Sequence, residues 1–330
     1  MFFHPSFVLF LFFLILSMVM MVCMNSWFLV WFFIEMNLLC FIPLIMGKKS
    51  KYSVESGLKY FFVQTLSSIL IMVGVLLLFM NFSGYTYFFM GGLSIKLGFA
   101  PFHQWMVNIV EGLTWLLVGI LFTLQKVGPF ILFNYVYIME EKVVYLIYLI
   151  SIMCAVVGSL GGLFTSSLRK IMAFSSIAHG SWMILGMLVS IYLWLMYFTF
   201  YSLILFSVLY ILGNFELANL SQIFLKLNFG LRLSLGVNLL SMGGLPPMSG
   251  FIPKFILMKE FIMFYNYFVL FILLFGVFVS LFFYARVFVM NFIFLSPKNL
   301  LFSENKVSVG PGFYINLLGL VTVPLILYLY

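Results

Sequence analysis

The sequence predicts an all-α, polytopic integral membrane protein, and three observations predict it. Hydrophobic residues make up 65% of the 330 positions and charged residues only 7%, with a mean hydropathy of +1.24. A soluble domain carries roughly a quarter of its residues as charges. The apolar residues fall in runs of the length a bilayer span needs, about 20 residues, divided by short polar breaks. Two of those runs are interrupted by glycine and proline next to a lysine, a combination that is costly in a lipid-facing helix.

Taken in order, the runs predict about eleven spans: 2–22, 27–46, 57–80, 86–107, 113–137, 143–165, 169–190, 193–218, 233–263, 267–294 and 311–330. The opening stretch has neither a basic leader nor a small-residue cleavage site, so the first span is expected to be retained. The longest polar connections are 47–56 and 295–312, too short for a separate domain. No glycine-rich phosphate loop follows a strand pattern.

Loop charges predict orientation. Lys48, Lys49 and Lys51 follow the second span, Arg169 and Lys170 the sixth, Lys226 and Arg232 the eighth, and Lys298 and Lys306 the tenth. All leave even-numbered spans and so share one side with the N terminus. The other side has little beyond Lys142, beside Glu140 and Glu141. The positive-inside bias then places the N terminus inside and, for an odd span count, the C terminus outside.

The interrupted spans are the fourth, with SIKLGFAPFHQW at 94–105, and the ninth, with SMGGLPPMSGFIPKF at 241–255. They lie five spans apart, so corresponding spans cross in opposite directions. That is the mark of inverted repeats with discontinuous helices, here 1–137 (shortened at its N terminus) and 143–294, with 295–330 as connecting segment and last helix. Backbone freed at such a break must face protein or water.

The charges inside the spans carry the chemistry. Lys59, Glu216, Lys259, Glu260 and Arg286 lie near span ends, where snorkelling or a structural ion pair suffices. Glu35, Lys96 and Lys126 have many apolar residues on both sides, and Lys254 sits beside the second break. Intramembrane ionisable groups of this kind mark ion pathways or proton relays. Burial disfavours a charged lysine and a nearby carboxylate favours it, so a lysine whose partner can be withdrawn gives up a proton on demand. Glu35 with Lys96 is the natural pair, with Lys126 and Lys254 further along. His179, in the serine-rich helix 165–182, is equally a relay member or a hydrogen-bonded packing residue. The serines of that helix either hold water or bond between helices. His103, at the first break, is expected to cap freed carbonyls.

Several classes are excluded. The net charge of +8 is spread along the chain rather than patched, which argues against nucleic acid. Three scattered histidines, no aspartate, and the widely spaced Cys23, Cys40 and Cys154 form neither a metal or haem site nor a disulfide framework. Glutamate supplies all eight acidic residues, phenylalanine and methionine are over-used and alanine is scarce, a drift typical of animal mitochondrial DNA.

The stretches NSWFLVWFFIEMNLLCFIPLI, ESGLKYFFVQ, KLGFAPFHQW, EGLTWLLVGILFTLQKVGP, GGLFTSSLRKIMAFSSIAHGSWM and LLSMGGLPPMSGFIPKF follow one another in an order that resembles the antiporter-like membrane subunits of NADH:ubiquinone oxidoreductase, respiratory complex I. The resemblance covers about residues 25–290. It implies that Glu35 and Lys96 correspond to the glutamate–lysine pair of a proton channel, Lys126 to its central lysine and Lys254 to the end of the hydrophilic axis. IAHGSWM departs from the family's HMGW order, so less carries over to His179. The resemblance further implies a multi-pass protein of the mitochondrial inner membrane, with the matrix on the N-terminal side. It implies no cofactor on this chain: NADH, FMN, iron–sulfur clusters and ubiquinone would bind other subunits. Expected partners are neighbouring antiporter-like and small membrane-arm chains and membrane lipids such as cardiolipin. A free-standing cation/proton antiporter and an inert membrane scaffold are the alternatives, and lysines held within the bilayer argue against the scaffold.

Overall fold

The computed structural model describes residues 5–48, 50–140, 143–263, 266–293 and 316. Among them the secondary structure is helical throughout, apart from an isolated antiparallel bridge between Ser167 and Asn219. The reason is the solvent. Hydrocarbon offers no partner for backbone N–H and C=O groups, so an apolar segment must satisfy them within itself.

The helices are α1 Pro5–Cys23, α2 Trp27–Met46, α3 Lys51–Phe79, α4 Tyr85–Leu97, α5 Gln104–Val110, α6 Trp115–Phe122, α7 Leu124–Met139, α8 Val144–Leu163, α9 Leu168–Val189, α10 Ile191–Asn214, α11 Leu220–Lys226, α12 Phe229–Gly243, α13 Phe251–Met263 and α14 Tyr267–Ile293. Among the described residues eight stretches, with α6 and α7 taken together, are long and apolar enough to cross a membrane. The expected last span, 311–330, and the connection bearing Lys298 and Lys306 lie outside the described residues, as do Lys49, Glu141 and Lys142, except that Asn316 is helical and buried.

The chain forms two compact units, Met1–Ile150 and Ser151–Tyr330, with the boundary inside α8. In the first, α1 packs on α2, α2 on α3, α3 on α4 and α4 on α7. In the second, α9 and α12 pack on α10, and α14 packs on α9, α12 and α13. Large apolar side chains such as Phe12, Phe62, Phe271 and Phe278 are exposed on helices of bilayer length, the faces that lipid would cover.

Both interrupted spans are broken as the sequence predicts. α4 ends at Leu97 and the chain resumes as α5 at Gln104; α12 ends at Gly243 and resumes as α13 at Phe251. The helices stop at glycine rather than at proline. Gly98 has φ 70° and Gly244 φ 85°, the left-handed C-cap conformation that a β-carbon disfavours. Gly98 donates to the Ile95 carbonyl at 3.0 Å, and Gly244 to those of Leu240 and Ser241 at 3.2 and 3.0 Å. Pro101, Pro246 and Pro247 lie in the connections beyond.

A third interruption was not legible. The span expected as continuous over 113–137 divides at Thr123 into α6 and α7 (φ −116°, ψ −82°). The Thr123 hydroxyl bonds the Gly119 carbonyl at 2.7 Å, and the Lys126 amide bonds the Thr123 carbonyl at 3.0 Å. Pro129 cannot donate to the carbonyl of Gln125 four residues earlier, which loosens the same turn. Lys126 therefore starts a helix instead of sitting in the middle of one.

Replacing Gly244 by valine should destabilise the protein. The left-handed conformation costs an L-residue roughly 1–2 kcal/mol, and the new β-carbon would stand 2.8 Å from Lys254 Cδ. Thermal unfolding of the detergent-solubilised protein should shift downward; an unchanged midpoint would contradict the assigned cap.

Candidate functional site

Within the first unit, residues of α1, α2, α3, α4, α5, α6 and α7 line a partly open cavity of about 30 Å³ that Lys96, Lys126, Asn37, Gln64 and Gln125 share with apolar side chains. A water needs roughly 10–15 Å³ of such space and two to four polar partners. Lys96 comes from the last turn of α4, immediately before the Gly98 break, and its Nζ donates to Gln64 Oε1 of α3 at 3.4 Å. Lys126, from the first turn of α7, is 2% exposed and lies 5.8 Å from the centre of the Phe122 ring, a cation–π distance.

Glu35, on α2, is close enough to Lys96 for a Coulombic interaction. Among the described residues the two do not close a direct ion pair: within the lysine's hydrogen-bonding reach the acceptor is the neutral amide of Gln64. Glu35 and Lys96 are thus within electrostatic reach of each other, while the lysine's hydrogen bond goes to Gln64. Sequence reasoning missed Gln64, Asn37 and Gln125 because it searched for charge. The Nδ2 of Asn37 and the Nε2 of Gln125 are buried without a protein hydrogen-bond partner. Such a donor costs about 1–3 kcal/mol if it stays unsatisfied.

The Gly98 break is capped from its far side. Trp105 of α5 donates its indole N–H to the Ile95 carbonyl at 3.0 Å, and His103 Nδ1 lies 3.1 Å from the Pro101 carbonyl oxygen, the capping role expected of it. With the carbonyl end occupied by tryptophan, Lys96 is left to face the cavity.

The second unit solves the same problem differently. Lys254 of α13 is 4% exposed and donates its Nζ to the carbonyls of Met242 and Gly243 at 3.2 and 2.7 Å, the last two carbonyls of α12. An ammonium there also meets the negative end of the helix dipole. A smaller cavity of about 10 Å³ is lined by Lys254, His179, Ser181, Ser280 and Tyr284. His179, buried on α9, holds Tyr197 of α10 through Nδ1 to the phenolic oxygen at 2.8 Å, and its ring lies 5.0 Å from that of Tyr201. These tyrosines carried no signal in the sequence, being a few among 18. The serines 175, 176 and 181 bond carbonyls of their own helix three residues back, at 2.7, 2.8 and 2.6 Å.

Two of the charges read as structural, Arg286 and Lys59, make structural contacts. Arg286 of α14 donates to the carbonyls of Leu163 and Thr165 at 2.9 and 3.0 Å, closing the end of α8. Lys59 pairs with Glu55 at 2.6 Å on an exposed face of α3, worth no more than a few tenths of a kcal/mol. No group of three or more His, Cys or Glu side chains comes together as a metal-ligand set among the described residues.

A bundle of bilayer-length helices with two glycine-ended breaks and lysines turned to internal polar cavities defines an antiporter-like membrane protein. The chain belongs to the NADH:quinone oxidoreductase/Mrp antiporter transmembrane family, which it matches over residues 24–282. It is 40% identical to NADH-ubiquinone oxidoreductase chain 2 of Anopheles gambiae over 86% of each chain. Its fold is similar to a chain of respiratory complex I from Thermus thermophilus, with TM-score 0.79 and 21% identity over 99% of this chain and 78% of that one. It is also similar to a chain of the Mrp complex from Dietzia sp., with TM-score 0.76 and 15% identity over 85% of this chain and 59% of that one.

Proposed function

We propose that the protein is a core membrane-arm subunit of NADH:ubiquinone oxidoreductase, complex I, and conducts protons across the mitochondrial inner membrane as ubiquinone is reduced elsewhere in the complex. The observation that carries this is the convergence of Lys96 and Lys126 on one cavity within the helices of the first unit, with Glu35 near enough to Lys96 to act on its charge. Glu35 and Lys96 form the switchable end of the pathway, Lys126 its centre and Lys254 its terminus, with His179 placed to assist beside Lys254. In this role the chain's residues hold and pass protons. NADH, FMN, iron–sulfur clusters and ubiquinone bind other subunits. Neighbouring antiporter-like and small membrane-arm chains and lipids such as cardiolipin are its partners.

The two glycine-ended breaks support a division into inverted repeats, 1–137 and 143–294, with 295–330 connecting to the last helix. The lysine bias supports an N terminus in the matrix and, for an odd number of spans, a C terminus in the intermembrane space. Cysteine introduced at Lys51, an exposed position at the start of α3, should resist a membrane-impermeant thiol reagent applied to intact mitoplasts and react in inverted membranes. Labelling from the intermembrane side would contradict the orientation.

The functional reading is tested by mild detergent extraction and native electrophoresis. The chain should migrate with NADH dehydrogenase activity in a very large assembly. Migration as a small oligomer would favour the second reading, a free-standing cation/proton antiporter, which the likeness to the Mrp chain supports at the level of fold.

A further inference from the structure

We infer that Asn316 is a positioning residue that splints the second helix break, holding its two sides together while Lys254 changes charge. The inference rests on the proton-conducting reading above and adds an uncharged residue of the expected last span, 311–330, to the site around Lys254.

The two sides of the break meet between the end of α12 and the entry into α13. Gly250 passes so close to the Ser241 carbonyl that a notional β-carbon would stand 1.9 Å from its oxygen. That approach brings the sides together, but only as a packing contact. Asn316 bonds to both sides. Its Oδ1 accepts from the Ser249 hydroxyl, in the connection, at 2.9 Å, and its Nδ2 donates to Asn238 Oδ1 on α12. Ser249, Asn238 and Asn316 are 4%, 0% and 1% exposed, so these bonds form away from bulk solvent. Asn238 lies a turn before Ser241, whose hydroxyl donates to the Asn238 carbonyl at 2.6 Å. The amide thus grips α12 at the turn that runs into the break, and the connection at the residue before Gly250.

Lys254 fastens the same break at the carbonyls of Met242 and Gly243, and its hold varies with its charge. A hydrogen bond from an ammonium is about twice as strong as one between neutral groups, and only the cation is drawn to the negative end of the α12 dipole. In the conducting role the lysine is an ammonium while it holds the proton and an amine once it has passed it on. The break then loses part of its fastening at the step in which Lys254 must keep its place. An amide and a hydroxyl neither gain nor lose a proton over the working range, so the chain Ser249–Asn316–Asn238 holds equally in both states. Ser249 stands just before α13, the helix that carries Lys254, so fixing it fixes the direction in which that helix leaves the break.

The test uses the assembled complex in sealed vesicles, with Asn316→Leu, Ser249→Ala, Ser249→Thr and Lys126→Met as variants. Ser249→Ala should slow the step through Lys254 by roughly three- to tenfold, the worth of one hydrogen bond in a rate. Asn316→Leu, which removes both bonds, should slow it at least as much. Both should lower the proton-to-electron ratio while the complex still assembles on native gels. Ser249→Thr keeps the hydroxyl and should retain most of the ratio. A purely packing role reverses that order, because alanine leaves a small gap whereas threonine adds a methyl to a closed site. Threonine worse than alanine would therefore overturn the splint. Normal ratios in Asn316→Leu and Ser249→Ala beside a lowered ratio in Lys126→Met would also overturn it, and would leave the conducting role standing. A normal ratio in Lys126→Met would overturn the role itself and the splint with it. Should the variants fail to assemble, high-resolution density of the unaltered complex at rest and during turnover decides. Asn316 within hydrogen-bond distance of Ser249 and Asn238 in both conditions supports the splint. Separation of Asn316 from either residue in either condition overturns it.

Discussion

Glu35→Gln and Lys96→Met should each sharply reduce protons pumped per electron, and the double variant should cost little more than the worse single. Each group is expensive alone in an apolar interior, and each offsets the other's burial. Glu35 acts on Lys96 through space, while the lysine's hydrogen bond goes to Gln64 at 3.4 Å. Removing the carboxylate takes away the negative charge that compensates the ammonium; removing the ammonium takes away the cation that the carboxylate acts on. Either change disables the same exchange, so the losses are coupled and not additive. NADH oxidation should fall with pumping if the two are tightly coupled. Fully additive losses would show two independent roles.

Lys254→Met should be the most damaging single change in the second unit, because it acts on structure and on the proposed pathway together. Its ammonium satisfies the carbonyls of Met242 and Gly243 at the buried end of α12. A thioether cannot donate to them, and an unsatisfied backbone group within a bilayer costs several kcal/mol. Lys254→Arg keeps the charge and the donors on a bulkier head against Gly244, where Lys254 Cδ and Nζ already lie 2.8 and 3.1 Å from a notional β-carbon. The methionine variant should therefore lose both assembled complex and pumping, and the arginine variant should assemble better than it pumps. Native electrophoresis gives the first quantity and vesicle acidification the second. Full assembly of the methionine variant would mean the break is held by other contacts.

What the sequence made legible, and what it did not, follows from the kind of residue each feature uses. Lysine, proline and glycine are punctuation in a phenylalanine- and leucine-rich chain, so Lys96 with Gly98 and Pro101, and Gly244 with Pro246 and Lys254, announce both breaks. The all-helical fold follows from hydropathy because the bilayer admits few alternatives. The Thr123 interruption stayed hidden because threonine is tolerated in helices and its hydroxyl simply bonds Gly119 four residues back. Asn37, Gln64 and Gln125 carry no charge, and on a single helix a buried amide is indistinguishable from one that bonds a neighbour. Only the packing of α2, α3, α4 and α7 brings them to one cavity. For the same reason the pairing of Glu35 with Lys96 could be anticipated as a neighbourhood but not as a contact: residues on separate helices have no spacing rule to fix their distance.

Under the proposed function, protons cross this chain through Lys126. The most direct test is the proton-to-electron ratio of the assembled complex in sealed vesicles carrying Lys126→Met. Methionine keeps most of the length and the unbranched apolar stem of the side chain while removing the group that holds the proton. A lost proton-transferring side chain costs roughly 10²–10⁴ in rate, so the contribution of this chain to the ratio should disappear, with assembly intact on native gels. An unchanged ratio at wild-type turnover in a fully assembled complex would contradict it.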